Sequence, residues 1–256
     1  MPSILGFDQH LAVIETAASA LVDAVETAGP DAEVVTCPDW QARDLVVHQG
    51  IIHRWAAGNL RGDEGAKALE EHDVLTSVPD DDLADWSRDG ARELLSTLAS
   101  VDPDVDALVF VNNAPRPRDF WARRQAHETT IHSVDALAAS LGRVPTSADL
   151  SLDTDLAVDG IDELLRGFFT RRRSKLYDGE PVSVRVAPSD SSYRWTLRAG
   201  PEGAVTDYED ADADVTFTGT AVQLYLGLWN RGDEIAATGD EALLDRWRGV
   251  QHVTWG

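Results

Sequence analysis

The chain has 256 residues, 43% of them hydrophobic, with 45 acidic against 22 basic side chains and a formal charge of −23. That length and apolar content support sizeable cores and about two domains, while so acidic a surface repels phosphate backbones and anionic lipid, which argues against nucleic acid and membrane surfaces as partners. A single cysteine, Cys37, excludes an internal disulfide and fits a reducing compartment.

The opening MPSILGFDQHLAVIE has no basic stretch ahead of an apolar one, and no run approaches about 18 uncharged apolar residues, so a cytoplasmic protein is expected. Leu11, Ile14, Ala18, Leu21 and Val25 recur at helical spacing and predict a helix over Phe7 to Ala28, ended by Gly29-Pro30. After the loop DAEVVTCP, Asp39 is the expected N-cap of a helix from Trp40 to Leu60. Leu83, Trp86, Ala91, Leu94 and Leu95 mark a third helix over Asp81 to Leu98. The long linker VDPDVDALVFVNNAPRPR contains an extended apolar piece, and an amphipathic fourth helix is expected over Asp119 to Leu141, stopped by Gly142. Four helices point to a bundle.

Beyond GRVPTSADLSLD a helix is expected over Leu156 to Lys175, with the cations of FFTRRRSK complementing its C-terminal dipole. The period then changes from 3.6 to about 2, and PVSVRVAP, SYRWTLRAG and DADVTFTG read as strands. Helices over Thr220 to Trp229 and Glu241 to Trp247 close the chain. The expected organisation is a helical bundle over residues 1–148 and a smaller α+β domain over residues 149–256, with the boundary near Pro145.

The stretch RRQAHETTIHSVDALAA carries His127, Glu128 and His132. At 100° per residue His127 and His132 lie about 140° apart around a helix, whereas Glu128 and His132 share a face. His48, in CPDWQARDLVVHQGIIHRWAAGNL, lies on a row with Asp44, Ile51, Ile52 and Trp55 that faces the bundle core, and His53 lies on another side. Bundle cores often build metal sites from facing helices. His48, Glu128 and His132 would make a His2Glu set with an open fourth position. Spacing alone equally accommodates hydrogen-bonded core histidines and a solvated glutamate, which are the commoner case.

TCPDWQARDLVVHQGIIHRWA and FWARRQAHETTIHSVDALAA resemble the two signature stretches of the mycothiol-dependent maleylpyruvate isomerase family, part of the DinB/YfiT-like metalloenzymes of actinobacteria. The resemblance implies a DinB-like four-helix bundle in which His48, Glu128 and His132 bind a divalent metal, generally zinc, with mycothiol as thiol cofactor. DADVTFTGTAVQLYLGLWNRGD and TGDEALLDRW resemble the sterol-carrier-like domain that follows the bundle in that family. Arg231 is the position matched to an arginine that assists catalysis by binding an anionic substrate; an ordinary surface arginine is as good a reading. The implied activity is addition of the thiol to a small electrophilic substrate, as isomerisation or as S-transfer.

Two alternatives stand beside it. One is a zinc hydrolase that needs no thiol; the other is an apolar-ligand-binding protein with a structural metal, against which a three-ligand site argues. Cys37, just ahead of a helix, could serve as an internal nucleophile but reads better as a small buried hydrophobe. Asp135 either orients an imidazole or lies on a solvated helix face. The RGD tripeptides at Arg61 and Arg231 are read as chance.

Overall fold

The structure is a computed structural model and describes residues 4–63, 70–111, 114–171 and 175–250. These residues separate into two compact units, the first running to Phe110 and resuming over Ala114–Pro145, the second beginning at Thr146 and including Val111. Among the described residues no helix is long and apolar enough to cross a membrane.

The first unit is helical. Helix α1 (Phe7–Ala28) buries Ile14, Ala17, Leu21, Val22 and Val25 and stops at Gly29, whose positive φ lets its N–H reach the Val25 carbonyl. Helix α2 (Ala42–Arg61) starts at Gln41 and not at Asp39. The Val34 N–H bonds the Trp40 carbonyl at 3.0 Å and Gln41 bridges Glu33, which keeps Trp40 extended, and the Asp44 carboxylate accepts the Gln41 N–H at 2.8 Å. A short helix that periodicity does not predict, α3 (Glu71–Ser77), precedes α4 (Leu83–Ser100). Helix α5 (Pro117–Leu141) begins on a proline and ends at Gly142 in the left-handed region.

The long helices surround a common core, with α1 against α5 and α4, and α2 against α4 and α5. Helices α2 and α4 approach closely because Gly50 leaves room for the Trp86 ring and Gly90 sits over the Gly50 carbonyl. Arg54 fills the remaining space, its guanidinium 3.9 Å from the Trp86 ring centroid. Helix α5 departs from the expected amphipathic pattern. Nearly every residue from Phe120 to Ala139 is buried, including Arg123, Arg124, Gln125, His127, Glu128, His132 and Asp135. Buried charges persist only when paired, so α5 had to bring its partners into the core with it.

The second unit is mixed. Helix α6 (Thr154–Asp162) widens into a π-helical segment over Glu163–Phe168 and ends in a 3-10 turn at Phe169–Arg171, shorter than the expected helix to Lys175. Residues 172–174 of the basic run lie outside the described residues, as do Asn112 and Asn113 of the apolar linker. Strands β1 (Val182–Pro188), β2 (Trp195–Gly200), β3 (Gly203–Asp207), β4 (Val215–Gly219) and β5 (Ala236–Gly239) form a sheet in the order β3-β2-β1-β4-β5. Among the described residues only the β1/β4 pairing is parallel, with Val184 opposite Val215 and Val186 opposite Phe217, all four buried. Helix α7 (Ala221–Leu228) is capped by Thr220, and α8 (Ala242–Val250) buries Trp247 against Phe169 and Phe217. Strands β3 and β5 were not expected from the sequence: each is short, β3 with one buried residue and β5 with none, so neither carries an apolar alternation.

Candidate metal centre

Helices α2 and α5 bring His48, Glu128 and His132 together, with one donor atom from each within 4.8 Å of the other two. His132 Nε2 lies 3.3 Å and His48 Nε2 3.8 Å from Glu128 Oε1. Zinc bonds of about 2.0–2.1 Å at the tetrahedral angle leave donor atoms about 3.3 Å apart, close to the separations that His132 and His48 keep from the Glu128 oxygen. His48 Nε2 is buried and has no hydrogen-bond partner among the described residues. A lone pair buried without a partner is costly unless something else takes it up. The donor set and this atom both fit a metal ion.

Each imidazole is held from behind. His132 Nδ1 lies 3.0 Å from Asp135 Oδ2, and the other Asp135 oxygen accepts the Thr36 hydroxyl at 2.5 Å. His48 Nδ1 lies 3.0 Å from Glu71 Oε1 on α3. A neutral imidazole that donates Nδ1–H to a carboxylate turns the Nε2 lone pair the other way, here toward Glu128. Trp40 walls the pair, stacked on His132 at 5.8 Å and tilted over His48 at 4.8 Å. Arg124, fully buried one turn before Glu128, places Nη2 3.2 Å from Glu128 Oε2.

Protonation follows from these contacts. Burial alone would push the Glu128 carboxyl up, but His132, His48 and the Arg124 charge hold it well below the usual carboxylate range. Burial pulls His132 down, yet its hydrogen bonds to Asp135 and Glu128 raise it to about 9. The hydrogen bond with His48 lowers Glu71 against the opposing effect of its burial. The metal-free site is therefore an ion-paired cluster, with a proton on His132 standing where a cation would sit.

The histidines set aside by spacing lie elsewhere. His53 is fully buried, with Nε2 2.8 Å from Gln49 Nε2 and 2.9 Å from Thr129 Oγ1, and burial, then the Arg54 charge, pushes it down to about 3. His127 packs edge-on to His10 with ring centroids 6.3 Å apart. Cys37 is half-buried beside the apolar core of the first unit. Arg231 belongs to the second unit, after Asn230 at φ 59° ends α7, and its Nη1 donates to the Trp229 carbonyl at 3.0 Å. Sequence reasoning missed Glu71 and Arg124. Arg124 was within reach, since it lies four positions before Glu128 on one helix face. Glu71 was not, because a seven-residue helix with one buried position, Val74, has no period to read.

A helical unit with a His2Glu cluster, followed by a five-stranded α+β unit, is the class that this geometry defines. Residues 11–137 match the model of the mycothiol maleylpyruvate isomerase N-terminal domain, and residues 155–246 match that of the MDMPI C-terminal domain. The chain belongs to the mycothiol-dependent maleylpyruvate isomerase family. No curated protein matches it. Among solved structures, a crystal structure of the mycothiol-dependent maleylpyruvate isomerase is similar at a TM-score of 0.64 and 15% identity, covering 93% of this chain and 96% of that one. A histidine-to-alanine mutant of the mycothiol-dependent maleylpyruvate isomerase is similar at a TM-score of 0.66 and 13% identity, with the same coverage. At these identities the likeness is one of fold.

Proposed function

We propose that the protein is a metal- and mycothiol-dependent enzyme of the maleylpyruvate isomerase type, with a DinB-like bundle over residues 1–148 carrying the metal and a sterol-carrier-like domain over residues 149–256. The observation that carries this reading is the convergence of His48 Nε2, His132 Nε2 and a Glu128 oxygen, with both Nδ1 atoms held by carboxylates. His48, Glu128 and His132 would hold a divalent ion, zinc by preference, and leave one position open. Bound there, zinc would supply a positive centre that keeps a thiol ionised near neutral pH, where it is the nucleophile. Mycothiol would supply that thiol as the nucleophile toward an activated double bond, chemistry that would serve isomerisation or S-transfer.

The chain's own residues have distinct tasks in this scheme. Glu71 and Asp135 fix the imidazole tautomers, and Trp40 shields the ring faces from water. Glu128 and Arg124 form a pair whose negative end faces the ion. Arg231 would orient a substrate carboxylate by a charge-assisted hydrogen bond. The substrate is a small electrophile, and a cytoplasmic setting suits the lone Cys37 and thiol chemistry.

The test is a titration of metal-free and zinc-loaded protein with mycothiol near neutral pH. Binding only to the loaded form, with proton release and, after cobalt substitution, a thiolate-to-metal charge-transfer band, supports the reading. Equal binding to the metal-free protein and to His48→Ala overturns it, and activity without any thiol would favour the hydrolase. The two-domain division is tested separately: limited proteolysis should cut between residues 142 and 152, and cleavage only at the termini would refute it.

A further inference from the structure

The two imidazoles of the cluster are held by carboxylates of very different standing. Asp135 is fully buried, lies one turn from His132 on the same helix, and has its second oxygen tied by Thr36. Its position beside His132 is set by α5 itself. Glu71 comes from a different element, 23 residues beyond His48, and its side chain is half exposed. It reaches His48 only because α3 is docked. That docking centres on Val74, 4% exposed and part of the same apolar cluster as Leu21, Val22 and Leu45, with Leu75 and Val78 partly buried against it.

We infer that Glu71 is a positioning residue for the metal site, and that the docking of α3 on the first unit is coupled through it to metal occupancy. This inference rests on the reading that His48, Glu128 and His132 bind a metal. The coupling follows from the hydrogen bond. His48 Nε2 is aimed at Glu128 when Nδ1 donates to Glu71; without that acceptor the ring can flip or take the other tautomer, and Nε2 is no longer held as a lone-pair donor. An ion bound by His48 in turn favours the tautomer that donates to Glu71, and so favours the docked α3. Such linkage is reciprocal by thermodynamic necessity. His132 carries no such condition. The site therefore has one permanently set imidazole and one that depends on a separate segment.

Zn2+ affinity, read by competition with a chromophoric chelator, tests the inference without recourse to activity. Loss of an outer carboxylate costs about 10–100-fold in metal affinity, and this is expected for Glu71→Ala. Glu71→Gln, whose amide oxygen still accepts from Nδ1–H, should lose only a few-fold, and Glu71→Asp should fall between. The melting temperature of the metal-free protein should hardly move, because a contact whose carboxylate is half exposed contributes little to stability. Val74→Ala, which loosens α3 without touching the site, should weaken Zn2+ binding a few-fold in the wild-type background and have no further effect beside Glu71→Ala. Amide exchange in α3 should slow on Zn2+ loading of the wild type and not of Glu71→Ala. The inference is overturned if Glu71→Ala binds Zn2+ within about twofold of wild type, which would leave Trp40 packing to orient His48, or if Val74→Ala acts equally in both backgrounds. Failure of the metal reading itself looks different: His48→Ala and His132→Ala would then bind Zn2+ as the wild type does.

Discussion

Helices α2 and α5 face each other across two adjoining polar layers that differ in kind. One holds His48, Glu128 and His132, with Asp135 and Arg124 close by; the other holds Gln49, His53 and Thr129, with Gln125 one turn before Thr129 on α5. Both are buried, and each contains a fully enclosed or nearly enclosed histidine, yet His132 is raised to about 9 and His53 lowered to about 3. Burial opposes the charged form in both. The partners decide the sign: two carboxylates outweigh burial at His132, whereas at His53 burial and the Arg54 charge outweigh the more remote Glu128, and the amide and hydroxyl in contact carry no charge. A layer that keeps its carboxylates can trade a proton for a metal ion, and a layer without them cannot.

The strongest way to break this comparison is to remove an imidazole from the ionic layer. His48→Ala and His132→Ala are each expected to abolish stoichiometric metal binding, whereas His53→Ala should retain it. Metal analysis after dialysis decides the matter, and full occupancy in either of the first two variants would mean that the ligand set is wrong. Stability against pH separates the layers next, in opposite directions. His53 has a folded pKa below its ordinary 6.5, so its neutral form stabilises the fold above pH 6.5 and that stability is lost as pH falls toward about 3. His132 has a folded pKa above 6.5, so its contribution to the metal-free protein is complete below pH 6.5 and is lost as pH rises through about 9. Each limb amounts to roughly 3 kcal/mol, for His53 between pH 6.5 and about 4 and for His132 up to about 9. Denaturant melts should show the acid limb flattened in His53→Gln and the alkaline limb flattened in His132→Gln or by zinc. A common slope change in both variants would show that the two histidines do not titrate apart.

Much of this was legible in the residues, and what was not has physical reasons. The rows Leu11–Val25 on α1 and Leu83–Leu95 on α4 announced their helices because long amphipathic elements repeat their apolar period several times. The same arithmetic separated His48, Glu128 and His132 from His53 and His127. It misjudged α5 as amphipathic, since periodicity assumes that polar means exposed and α5 buries its charges by pairing them with one another. Helix α3 and strands β3 and β5 escaped because each is too short, or too exposed, to repeat a pattern. Glu71 shows the cost, as its place beside His48 is set by the packing of α3 through Val74, with Leu75 and Val78 partly buried beside it. The start of α2 moved from Asp39 to Gln41 for a related reason: contacts from Glu33 and Val34 outcompeted a local cap.

The smallest effect lies in the neutral layer and tests how it is held together. Gln125 is fully buried, and neither its amide nitrogen nor its amide oxygen has a hydrogen-bond partner among the described residues; Gln49 Oε1 and His53 Nδ1 are in the same position. A buried polar group without a partner costs about 1–3 kcal/mol, and an apolar replacement of the same shape removes that cost. Gln125→Leu is therefore expected to leave the metal-free protein as stable as the wild type or to raise its unfolding free energy by about 1 kcal/mol. The reverse holds one layer away, where Glu128→Gln takes away a carboxylate that faces both the buried His132 and the buried Arg124 and should destabilise, because charge that these cations are paired with is lost. Urea melts of the two variants at pH 7 make the comparison directly. A loss of 1 kcal/mol or more in Gln125→Leu would show that the amide is satisfied in solution, by water enclosed between α2 and α5, and the neutral layer would then be a hydrated network rather than a strained one.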